Sequence, residues 1–161
     1  MPAITPCLWF DGQAEDAARF YTSIFPNSRI DRVGRSAADN PSTKEGEVLT
    51  VEFTLDGTAF MGLNGGPDFT FSEAISFAID CADQDEVDRY WDALIAGGGE
   101  PSNCGWLKDR FGLSWQVVPR QLNEMLQSSD APAARRAMEA MLQMKKLDVA
   151  KLSEAFEGVP A

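Results

Sequence analysis

Two stretches decide the fold: Arg19-Phe20-Tyr21-Thr22-Ser23-Ile24-Phe25 and, seventy positions later, Arg89-Tyr90-Trp91-Asp92-Ala93-Leu94-Ile95. Each closes a segment of helical spacing. Ala14, Ala17, Ala18, Tyr21, Ile24 and Phe25 share one stripe of the first helix, which Pro26-Asn27 stops. The second helix runs from Gln84 to Ile95 and ends at Gly97-Gly98-Gly99. The flanks repeat in the same order. Ile4 to Phe10 reads as a strand before the first helix, with Arg29–Arg35, Val48–Leu55 and Thr58–Leu63 as strands after it. Ile75–Asp80 precedes the second helix, and Glu100–Gly105, Trp106–Arg110 and Leu113–Val118 follow it.

The offset of seventy carries Cys7 onto Phe77 and Trp9 onto Ile79, and Gly57-Thr58-Ala59-Phe60-Met61 falls on Gly112-Leu113-Ser114-Trp115-Gln116 at an offset of 55. The shortfall matches the polar loop from Ser36 to Glu47, which the second half lacks. The expectation is an α+β chain of two βαβββ modules, residues 1–67 and 68–119, within a single domain 1–161. A helical tail, 120–161, completes it. Ser128-Ser129-Asp130 offers an N-cap for one tail helix, with Pro132 in its first turn, and Asp148 starts another that Gly158 can end. Met138, Met141, Leu142 and Lys145 are placed on one tail face. From Pro132 onward five bases stand against four acids, so a mildly basic tail could lie on an acidic body, its own or a partner's.

Composition narrows the function. With 161 residues and 44% apolar content the chain can bury an ordinary core. A net charge of −11 repels phosphate backbones and anionic bilayers, so neither nucleic acid nor membrane is an expected partner. No window approaches a bilayer span, and Met1 to Phe10 lacks the basic start of a signal peptide. Cys7, Cys81 and Cys104 form no C-x-x-C pair and read as reduced thiols, which suits the cytoplasm. There is no histidine, which removes the commonest general base and metal ligand.

Strand alternation sorts the side chains into two faces. Cys7, Trp9, Leu49, Val51, Phe53, Leu55, Phe77, Ile79, Trp115 and Val117 are expected under the helices. Pro6, Leu8, Phe10, Thr50, Glu52, Thr54, Met61, Ser76, Ala78, Ser114 and Gln116 fall on a mixed face. Its apolar surface, dotted with hydroxyls, an amide and one acid, suits a small-molecule cavity or a half-solvated sheet. Trp106 is a candidate to stack a planar ligand. Glu52 is the candidate acid or base, and Cys104, four residues from Lys108, the candidate nucleophile. Asp109-Arg110 reads first as turn chemistry and second as a charged rim.

The paired pattern resembles the vicinal-oxygen-chelate superfamily of glyoxalases, extradiol dioxygenases and bleomycin-resistance proteins. Ile4 to Gly12, Phe20-Tyr21, Ile24-Phe25, Leu63-Asn64-Gly65-Gly66-Pro67 and Cys104 to Gln116 are similar to the PhnB-like family, also labelled demethylubiquinone 3-methyltransferase-like, and the resemblance is read from Ile4 to Gly158. It implies a homodimer and cavities enclosed by curved half-barrels. The superfamily's four metal ligands would fall on Pro6, Met61, Ser76 and Gln116, of which only the glutamine offers a hard-cation donor of any use. No metal and no other cofactor is expected. A methyltransferase of the common nucleotide-binding type would place a Gly-rich turn between a strand and a helix, and neither Gly97-Gly98-Gly99 nor Gly65-Gly66-Pro67 is so placed. The reading is a metal-free binding protein for a small molecule, with an enzyme on a small organic substrate as the alternative.

Overall fold

The computed structural model describes residues 2–158, which divide between Phe71 and Ser72 into two compact units. The first contains β1 (Cys7–Phe10), α1 (Ala14–Ile24), β2 (Arg29–Arg35), β3 (Val48–Leu55) and β4 (Thr58–Asn64). Its sheet has the order β1-β4-β3-β2, with β1 parallel to β4 and the other pairs antiparallel. The second unit repeats this with β5 (Ser76–Cys81), α2 (Gln84–Ile95), β6 (Glu100–Pro101), β7 (Trp106–Lys108) and β8 (Ser114–Pro119), ordered β5-β8-β7-β6. It also takes in α3 (Arg120–Leu126), α4 (Ala131–Met141) and α5 (Val149–Glu157). The fold is α+β: two βαβββ repeats and a C-terminal helical tail.

In the first unit, α1 lays Ala14, Ala17, Ala18 and Tyr21 on the sheet. The small side chains let helix and strands approach, so that a Cβ at Gly62 would lie 3.1 Å from that of Ala14. Tyr21 stacks near Phe53, and Phe53 near Phe60, with ring centroids 6.2 and 5.6 Å apart. In the second unit Val87, Tyr90, Trp91 and Leu94 of α2 are buried, as are Leu107, Trp115 and Val117 of the sheet.

One expectation about faces is overturned. Leu8 and Phe10 are buried on the helix side, 5% and 3% exposed, while Cys7 is exposed and Trp9 half-buried on the opposite side. The cause is a turn one residue longer. Residues 11–13 separate β1 from α1, whereas 82–83 separate β5 from α2. The register shows the result: Cys7 pairs with Met61 as Ala78 pairs with Gln116, so the first strands correspond at an offset of 71. A shift of one residue moves every side chain of a strand to the other face.

The tail starts as its caps indicate. The Asp130 and Asp148 side chains accept from the N–H groups of Ala133 and Lys151, and Gly158 ends α5 in the left-handed region. Helix α3 lies within the tail expected from residue 120, though no helix bounds were read there; it has no side-chain cap, and Leu122 seats it in a cluster with Leu147 and Leu152. The tail is strapped to its own unit. Gln84, the first residue of α2, donates to Leu147 O at 3.1 Å and accepts from Val149 N at 2.7 Å. Cys104 N and Gly105 N donate to Met144 O and Lys145 O.

Candidate functional site

Each sheet has one face under its helix and one open face, and the open faces collect most of the candidate residues. In the first unit the register sets Cys7, Met61, Glu52 and Arg32 in one row across β1, β4, β3 and β2. Trp9, Leu63, Thr50 and Gly34 form the next row. Thus Glu52, Met61 and Thr50 share a face, while Leu8 and Phe10, expected with them, belong to the core beneath α1. Cys7 and Trp9 take their place, a gain that the turn of residues 11–13 could have revealed.

Trp9 is fixed from three sides. Its indole N–H donates to Gly66 O at 2.8 Å, its ring meets Phe69 edge-on at 4.9 Å, and a methyl group on Gly65 would overlap it. Phe69 itself is exposed. The same segment caps α1: Asn64 Oδ1 accepts from Ala14 N, and its amide donates to Val48 O, both at 2.9 Å. The Leu63-Asn64-Gly65-Gly66-Pro67 motif is therefore a clasp that holds Trp9 on the open face. Partial burial pushes the Cys7 thiol above its ordinary pKa.

The second open face holds Ala78, Gln116 and Trp106 in one row and Ser76, Ser114 and Lys108 in the next. Gln116 Nε2 donates to Ser76 Oγ at 2.9 Å, drawing the amide across one row. Ser114 is 1% exposed, and its hydroxyl has no partner among the described residues. Lys108 is ion-paired with Glu73.

Cys104 joins neither open face. It sits at φ +59 in the turn before β7, with its N–H committed to Met144 O, so the candidate nucleophile is part of the tail attachment. Cys81 is buried under α2, its thiol pushed up to about 12 by burial and then by Glu86 and Asp80. Asp109 is a turn organiser and not a rim. At 3% exposure it accepts from Phe111 N, Leu113 N and the Trp115 indole at 2.8, 3.1 and 2.9 Å.

The superfamily's metal does not fit these residues. Pro6 has no side-chain donor, Met61 offers a soft thioether, and Ser76 and Gln116 are bonded to each other. Among the described residues no three Cys, Asp or Glu side chains gather where they could hold a metal ion. Nor does a glycine-rich loop open a helix: Gly97-Gly98-Gly99 leads from α2 into β6, and Gly65-Gly66 follows β4 with no helix after it before β5. No described helix is long and apolar enough to cross a membrane.

A family model described as 3-demethylubiquinone-9 3-methyltransferase matches residues 2–118. That match ends within β8, so it stops short of the reach to Gly158 expected from the motifs. No curated protein matches the chain. Among solved structures it is similar to the PhnB protein from Bacillus cereus, at 35% identity and a TM-score of 0.65, over 73% of this chain and 99% of that one. It is also similar in fold to the fosfomycin resistance proteins FosX from Mesorhizobium loti and Listeria monocytogenes. The first is 14% identical with a TM-score of 0.55, over 79% of this chain and 98% of that one. The second, solved with Mn(II) and sulfate, is 17% identical with a TM-score of 0.52, over 78% and 95%.

Proposed function

This chain belongs to the PhnB-like family of the vicinal-oxygen-chelate fold, and from that premise we propose that it binds a small organic molecule on its open sheet faces without a resident metal. The observation that carries the reading is the Ser76–Gln116 hydrogen bond. Two of the four positions where the superfamily holds its metal are spent on each other, and the remaining two, Pro6 and Met61, supply no hard donor. What the faces do supply is aromatic surface, hydroxyls and amides, the composition of a pocket for a neutral organic ligand. We place the protein in the cytoplasm as a homodimer; its three cysteines are free thiols.

Native mass spectrometry of protein purified without chelator tests this. The expected result is twice the chain mass, carrying an organic molecule or shifting in melting temperature with members of an organic library. One divalent metal per chain, whose removal lowers the melting temperature, would overturn it.

A second reading rests on the row Cys7–Met61–Glu52. An exposed carboxylate set between Met61 and Arg32 in that row could act as acid or base on a bound substrate. Turnover that Glu52→Gln abolishes without changing the fold supports an enzyme; turnover that survives removes Glu52 from it. Methyl transfer, the activity in the family's description, would then be assayed first.

A further inference from the structure

We propose that Met125 and Met144 are modification sites: peroxide oxidises their thioethers to sulfoxides, and the sulfoxides release the helical tail from the second βαβββ repeat. The inference stands apart from the binding reading and needs no ligand on the open faces. Four of the six methionines, Met125, Met138, Met141 and Met144, lie between residues 120 and 161. The family model stops at residue 118, so this stretch lies outside the part the chain shares with it. Met125, Met141 and Met144 are half-buried and pack around Leu122, Leu147 and Leu152, the cluster that seats the tail. That cluster adjoins the strap. Met144 O accepts from Cys104 N at 2.7 Å, and Leu147 lies so close to Gly105 that a Cβ there would be 2.8 Å from its Cδ1.

Two clefts bring solvent to this cluster. One, of about 710 Å³, is lined by Met144 with Gln84 and Leu147; the other, of about 500 Å³, by Met125 with Gln121 and Phe156. A molecule of hydrogen peroxide is small enough to enter either. The thioether sulfur attacks one peroxide oxygen. The O–O bond breaks as the S–O bond forms, and the hydroxyl proton passes to the departing hydroxide, which leaves as water. Sulfur is oxidised by two electrons and the peroxide is reduced by two. The product sets a strong, polar acceptor against leucine side chains, where an apolar and adaptable group had packed. Met138 is the contrast: it is 46% exposed on α4, so its sulfoxide stays in water.

The test treats the full-length protein with hydrogen peroxide, then with dithiothreitol to restore reversibly oxidised cysteines, and reads peptide masses and amide hydrogen exchange. Sulfoxide is expected at Met125 and Met144 as well as at Met138. Exchange at Cys104, Gly105 and Val149, whose N–H groups hold the strap, should become about ten-fold faster while α1 is unchanged. Leucine conserves the volume of methionine and resists peroxide, so Met125→Leu/Met144→Leu should keep its slow exchange after the same treatment. Met138→Leu should loosen as the wild-type chain does. Methionine sulfoxide reductases A and B together should return the oxidised wild-type chain to slow exchange. Sulfoxide confined to Met138 overturns the proposal, as does sulfoxide at Met125 and Met144 with exchange unchanged. Equal loosening of the double leucine variant overturns it too, by placing the sensitive group elsewhere.

Discussion

The two βαβββ repeats share a topology and differ in how each secures it. In the first, the cap of α1 comes from Asn64 at the far end of β4, fifty residues away in sequence. In the second, α2 caps itself: Asp83 accepts from Glu86 N, and Glu86 returns a bond from Ala82 N. The hairpins differ in the same sense. Asp56-Gly57, both at positive φ, close β3 onto β4 with two residues. The longer turn between β7 and β8 is held by one buried carboxylate, Asp109. In the first sheet β2 and β3 are long, at seven and eight residues. The second has two and three in β6 and β7, and the tail is bonded to the loop beside them. A repeat that loses strand length can thus recover hydrogen bonds from outside itself.

The largest contrast lies in the hairpins. Asp109→Ala removes the acceptor of a buried and a part-buried backbone N–H and of a buried indole, and should cost about 3–5 kcal/mol in urea unfolding. Asp56→Ala loses only a residue tolerant of φ +44 and should cost about 1 kcal/mol. Equal losses would break the comparison. The caps come next. Asn64→Ala removes the cap and the bond to Val48 O, about 2 kcal/mol, against about 1 kcal/mol for the exposed Asp83→Ala. Gln84→Ala should cost about 1–2 kcal/mol and increase amide exchange in residues 147–149, with no counterpart in the first unit.

These differences explain which parts of the molecule were legible in sequence. Helix α2 and the Asp148 cap depend on residues close in sequence, and the stripe of α1 shows in its periodicity although its cap, Asn64, lies fifty residues away. The repeat itself was visible because Tyr21 and Trp91 play the same buried part. The face of β1 was not, because an offset taken from the helices was carried through a turn that differs by one residue. The bounds of helix α3 escaped because it has no side-chain cap, and its seat on Leu147 and Leu152 is made by residues further along the chain. On the open faces, Glu52, Thr50 and Met61 followed from alternation alone. The exclusion of Cys104 did not, since nothing in its neighbours announces that its N–H is committed to Met144 forty residues away.

The smallest effect separates the strap's charged part from its backbone part. Lys146 and then Gln84 hold Asp88 below its ordinary pKa, and Asp88 in turn raises Lys146. A depressed carboxylate pKa adds stability above its unfolded value, about 4, and that increment fades as the pH falls through the folded value. A raised lysine pKa adds stability below its unfolded value, about 10.4, lost as the pH climbs through the folded one. The pair therefore tightens the tail across the neutral range. Both side chains are well exposed, at 40% and 43%, so solvent screening limits the gain to about 0.5 kcal/mol at most. Asp88→Asn should show that loss near pH 7 in low salt, and none in high salt or well below pH 3. A loss that persists in acid would assign Asp88's contribution to its hydrogen bond with Gln84 and leave the charge of Lys146 without a part in holding the tail.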